Sequence, residues 1–146
     1  MGKFHDSFDR MIKGEVEQPP IMKLIGMRVV SYDKSGASRF EMDADERHWN
    51  PMGTLHGGVL CDLADAAMGF AFASTLEEGE SFTTLELKIN YLRPVRKAHL
   101  TAGARVVSRG RTVGLVECEV RDESNKLIAR ATSTCMVLRG EAAAGR

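Results

Sequence analysis

Residues 57–76 read GGVLCDLADAAMGFAFASTL, and this stretch decides the fold. It is apolar nearly all round, rich in alanine and leucine, free of proline, and opened by two glycines. At about 1.5 Å per residue its length predicts a helix of roughly 30 Å, enough to cross a small domain. A helix apolar on every face is a buried helix, so other elements must wrap around it. Two carboxylates interrupt it. Asp62 and Asp65 stand three residues apart and share a face with Ala66, Gly69 and Ala73, which leave room beside them. A lone carboxylate in apolar surroundings costs several kcal/mol unless it is paired, hydrogen-bonded or turned to a wet cleft. Taken singly, either aspartate reads as a structural group that caps backbone or meets an arginine at a subunit contact.

The flanking sequence supplies the wrapping. Downstream, FTTLELKINY at 82–91 sets Thr83, Leu85, Leu87, Ile89 and Tyr91 against Phe82, Thr84, Glu86, Lys88 and Asn90, the alternation of a half-buried strand. Residues 98–108, 113–121 and 127–138 are strand-like, separated by turn signals at Arg109-Gly110 and Asp122–Asn125. Upstream, 25–33 and 37–44 read as a hairpin turning at Asp33–Gly36, and Asn50-Pro51-Met52-Gly53 marks 45–55 as a loop. Phe4, Phe8, Met11 and Ile12 predict an amphipathic helix over 3–14 closed by Gly14. Pro19-Pro20 predict that helix's end and an extended lead-in to the first strand. The expectation is an α+β domain: one long buried helix and an antiparallel meander of five to six strands.

Composition fits that picture. The chain has 146 residues, 43% apolar and 27% charged, the profile of one globular domain without repeats. Residues 1–20 read as the helix and lead-in, and 140–146 as a flexible tail. Twenty basic residues balance twenty acidic ones, which argues against a general nucleic-acid binder. Cys61, Cys118 and Cys135 are odd in number and share no ligand spacing, so neither a disulfide framework nor a zinc site is expected. With no apolar run of signal-peptide or membrane-spanning length, the expected location is the cytoplasm.

Outside the helix, His56-Gly57-Gly58 lies just before it. Two glycines admit close approach of another molecule, and unpaired N–H groups at a helix start attract developing negative charge. That suits an oxyanion site, and equally an ordinary loop-to-helix junction. His5, His48 and His99 read as surface or structural. Arg109-Gly110-Arg111, with Arg93, Arg96 and Lys97 in the preceding connection, could hold phosphates or form a solvated face. The methionines, Met52 and Met68 among them, read as filling for core gaps.

Together, HWNPMGTLHGGVLCDLADAAMGFAFAST at 48–75 resembles the signature of the hotdog-fold acyl-CoA thioesterases of the phenylacetate-degradation type. The likeness runs from about Ile25 to Leu138, through INYLRPV and IARATSTCMVL. It implies a long central helix wrapped by a curved antiparallel sheet, with a site at Asn50, His56, Gly57 and Asp65. Relatives also use a hydroxyl residue on the strand after the helix, which falls at Thr84. The implied roles are Asp65 as general base or nucleophile, the Gly57 N–H as carbonyl-polarising donor, His56 and Asn50 as positioning groups, and Thr84 as a water- or Asp65-orienting hydroxyl. Arg109, Arg111 and Arg93 would meet the phosphates of coenzyme A. The resemblance further implies a two-fold dimer with the site shared between chains, often doubled to a tetramer, no metal or other cofactor, and neither nucleic acid nor membrane as partner. Two other readings stand beside it: a hotdog dehydratase or hydratase of acyl thioesters, and a non-catalytic acyl-CoA-binding module.

Overall fold

A computed structural model describes residues 3–146, and among these six strands form one antiparallel sheet in the order β1-β2-β4-β5-β6-β3. They are β1 (Met27–Asp33), β2 (Ala37–Ala44), β3 (Ser81–Tyr91), β4 (Ala98–Arg109), β5 (Val113–Arg121) and β6 (Leu127–Leu138). Strands β4, β5 and β6 do form a meander. β3 departs from the expected one: it crosses to the far edge and pairs with β6, because the chain passes around the long helix before returning to the sheet. That helix, α3 (Gly57–Ala73), ends at a Ser74 C-cap, three residues short of the expected Leu76. Leu60, Leu63, Ala64, Ala67, Met68, Ala71 and Phe72 of α3 are buried together with Phe40 and Met42 of β2, Leu100 of β4, Val116 of β5 and Ile128 of β6.

Local interruptions bend the sheet around this helix. Register shifts interrupt β1 between Val29 and Ser31, β3 between Thr84 and Glu86, and β4 between Val106 and Ser108, and each adds curvature. Gly114 of β5 lets the helix come close, since a Cβ there would overlap the Phe72 ring. The sheet's outer face carries an ion-pair ladder in which Glu117 meets Arg105 and Arg130, and Glu119 meets Arg121 and Arg130.

The N-terminal segment holds a correction. Helix α1 (Lys3–Ile12) forms as expected, and Gly14 has φ +73° just beyond it. Pro19-Pro20 do not begin an extended stretch. Pro20 is the first residue of a second short helix, α2 (Pro20–Ile25), where its missing N–H costs nothing, and Gly26 closes it in the left-handed conformation at φ 83°. Strand β1 accordingly starts at Met27 rather than at 25. The 140–146 stretch carries a short 3-10 helix at Gly140–Ala143.

Candidate active site

Asp65 lies midway along α3, on the stripe that the sheet does not cover. Among the described residues, neither Asp65 nor Asp62 has a hydrogen-bond or ion-pair partner. Asp65 counts as exposed, yet its carboxyl is hemmed in enough that burial, and then the charge of Asp62, raises its pKa above the ordinary carboxylate value. Burial alone raises that of Asp62. A carboxylate that is partly desolvated and unpaired takes up a proton more readily than a solvated one.

Both carboxylates stand on the wall of an apolar cavity of about 330 Å³. Thr84 lines the same cavity, so the structure unites the two residues that the motif places 19 positions apart. A bulge makes this possible. Simple alternation sets Phe82 and Thr84 on the opposite face from Leu87 and Ile89. The register shift at Leu85 inserts one extra, exposed residue, after which all four turn inward. The Thr84 Oγ1 lies 3.9 Å from Cys135 Sγ. Burial pushes the Cys135 thiol upward in pKa, so it is no ready nucleophile.

The remaining motif residues gather at the start of α3. His56 is the N-cap, its Nδ1 accepting the Gly58 N–H at 2.9 Å, which leaves the ring proton on Nε2. Val59 N–H donates to His56 O. Gly57 is the first helical residue, and its N–H has no acceptor among the described residues. Asn50 is largely occupied by its own loop: its Oδ1 accepts from Met52 N and Thr54 N, and its Nδ2 donates to Thr54 Oγ1 at 2.9 Å, leaving one amide hydrogen to offer. Asn50, Gly57 and Arg93 line one groove of about 370 Å³.

Tyr91 was not singled out by the sequence, yet it shapes this groove. Its hydroxyl donates to Gly57 O at 3.0 Å and lies 3.2 Å from Cys61 Sγ. The hydrogen bond with Cys61, and then burial, push the phenol up to about 12. A Cβ at residue 57 would sit 2.7 Å from the Tyr91 ring, so this position requires glycine. Its place within INYLRPV, 34 residues downstream, gives no local hint of that contact.

One chain does not bring the two halves together. Gly57 and Asp65 are eight residues apart on one helix, about 12 Å along its axis, too far to address one carbonyl carbon. The arginines also divide. Arg93 is in the Gly57 groove. Arg109 lies beyond the other end of α3, where its guanidinium bonds Glu80 at 2.8 Å and sits 5.2 Å over the Phe72 ring. Burial would raise the pKa of Glu80, but the Glu77 N–H, Arg139 and Arg109 hold it below the usual value. Arg111 stays exposed beside them, its carbonyl accepting from Arg139. His5 and His48 are buried and structural, the latter's Nε2 bonding Ile25 O at 2.8 Å, and His99 pairs with Asp43. Met68 fills the core as expected, whereas Met52 is 78% exposed and fills nothing.

Among the described residues no group of three or more potential ligands could hold a metal ion, and no helix is long and apolar enough to cross a membrane. Residues 52–129 match the sequence profile of the Thioesterase superfamily. The medium/long-chain acyl-CoA thioesterase YigI of Escherichia coli is 30% identical over 81% of this chain and 85% of its own. The 1,4-dihydroxy-2-naphthoyl-CoA hydrolase of Listeria monocytogenes is 30% identical over 80% of this chain and 94% of its own. Among solved structures, the E. coli PaaI protein from the phenylacetic acid degradation operon is 25% identical, with a TM-score of 0.80 over 92% of this chain and 96% of its own.

Proposed function

The chain belongs to the thioesterase superfamily and has its hotdog fold, and from that premise we propose that it hydrolyses an acyl-CoA thioester to the free acid and coenzyme A. The observation that carries this reading is Asp65: a desolvated, unpaired carboxylate on the wall of an apolar cavity that also holds Thr84. A thioester has two needs, an activated nucleophile at the carbonyl carbon and a donor for the carbonyl oxygen. Asp65 takes a proton from water as that water adds to the carbonyl carbon, with Thr84 orienting the water or Asp65 itself. The Gly57 N–H, together with the positive end of α3, receives the charge that develops on oxygen. His56 through Nε2–H, and Asn50 through its remaining amide hydrogen, position the thioester. Collapse of the tetrahedral adduct expels the coenzyme A thiolate, which then takes up a proton.

The 12 Å between Gly57 and Asp65 supports a site completed by a second copy, with Asp65 of one chain facing Gly57 of the other. Arg93 beside Gly57, and Arg111 at the opposite end of α3, are the proposed phosphate contacts. Arg109 would join them only at the expense of its bond to Glu80. Incubation with a panel of acyl-CoAs and a thiol reagent tests the reading. Thiol release is the expected result. An altered acyl chain without thiol would indicate hydration chemistry, and binding without either would indicate a binding module.

A further inference from the structure

The cavity beside Asp65 is walled by the N-terminal helices as well as by α3 and β3. Phe4 and Phe8 come from α1, Ile21 and Met22 from α2, and Gly69, Phe70 and Ala73 from the uncovered stripe of α3. It runs along α3 from the two carboxylates to Ala73. An acyl group laid along it from Asp65 meets Phe70 after five residues, about 7.5 Å of helix axis. There the Phe8 and Phe70 rings stack at 4.0 Å between centroids and 16° between planes, and Phe70 is braced edge-on by the fully buried Phe40 at 4.9 Å. Helix α1 is fastened independently of this stack. His5 Nε2 bonds Ser74 O at 2.8 Å, and the Tyr32 hydroxyl donates to Asp9 Oδ1 at 2.9 Å. The stack is therefore a wall of the cavity, braced from both sides.

We propose that the N-terminal helix, through Phe8 stacked on Phe70, is the ruler that sets the length of acyl group the enzyme accepts. This rests on the acyl-CoA reading above. Each methylene that enters the cavity adds about fourfold to kcat/KM by apolar burial, until the chain reaches the stack. Beyond that point further carbons gain nothing, because neither ring can yield without opening the packed core behind it.

Two substitutions move the stop in opposite directions. Phe8→Ala removes half of the stack and lets longer chains in. Gly69→Leu narrows the cavity from the α3 side, where a Cβ at residue 69 meets nothing closer than Phe82 Cζ at 3.6 Å. Straight-chain acyl-CoAs from butanoyl to hexadecanoyl are assayed by thiol release, and the corresponding free acids by calorimetric titration. Relative to wild type, the kcat/KM ratio of a chain two methylenes past the wild-type limit to one at that limit rises roughly fifteenfold in Phe8→Ala. The length limit falls by at least two carbons in Gly69→Leu. Identical cut-offs in all three proteins, with circular dichroism unchanged, overturn the ruler. Should Phe8→Ala fail to fold, Gly69→Leu decides alone: an unmoved limit in that variant overturns the ruler. A limit that moves in acid binding while no thioester is cleaved supports the ruler and sinks the hydrolytic reading instead. Hydrolysis with an unmoved limit does the reverse.

Discussion

At Asp65 the chain holds a carboxylate whose charged form its surroundings penalise. Burial and the neighbouring Asp62 raise its folded-state pKa above the value of about 3.8 that it has when solvated. A carboxylic acid whose folded pKa is raised loses stability as pH climbs from the unfolded value through the folded one, and above that window the cost is complete. Asp65→Asn should therefore raise Tm at pH 7, with the gain over wild type fading below about pH 4. The same variant should lose about 10²–10⁴-fold in kcat, as loss of a general base does. Calorimetry and kinetics on one preparation check both. Asp62→Asn leaves the base but removes a like charge, so Asp65 should ionise more easily. The acid limb of kcat/KM against pH should then shift to lower pH, with kcat on the plateau within a few-fold of wild type. For the arginines, Arg93→Ala and Arg111→Ala should raise KM for acyl-CoA and spare kcat. A pantetheine thioester without nucleotide phosphates should be nearly indifferent to both, and equal losses on the two substrates would give these arginines a structural role.

Among the elements, α3 and β3 carry the proposed site, and each is shaped by a local departure from regularity. The Leu85 bulge turns Thr84 toward Asp65, and the missing side chain at Gly114 lets α3 sink against β5. Gly114→Ala should overpack that contact at a cost of about 1–3 kcal/mol. Its Tm should drop by about 2–4 °C per kcal/mol, measured by thermal denaturation. Wild-type stability in that variant would mean that the helix can shift on the sheet. Helix α2 has proline at its first position and glycine just past its end. Yet Pro19-Pro20 satisfies an extended segment equally well, and only the packing of Met22, 2% exposed, against the core selects the helix.

For the whole molecule, the separation of Gly57 from Asp65 along one helix has a direct test. Asp65→Asn and His56→Ala, each inactive alone, should complement when their subunits exchange. Random pairing makes half the dimers mixed, and each mixed dimer holds one intact and one doubly damaged site, so about a quarter of wild-type activity should return. Exchange demonstrated by mass spectrometry of tagged chains without recovered activity would place the site within one chain.

The sequence by itself determined the long apolar helix and the strands that enclose it, while the candidate group Asn50, His56, Gly57, Asp65 and Thr84 came from its resemblance to a known family. Hydrophobic period and a dense local motif are properties of neighbours along the chain, and they survive without coordinates. Only the tertiary structure decided that β3 lies beside β6, that Arg93 parts company with Arg109, that Tyr91 presses on Gly57, and that Phe8 closes over Phe70. Each of these depends on contacts between residues far apart in sequence. No local pattern encodes such a contact, because it exists only once α3 is buried and the rest of the chain has packed around it.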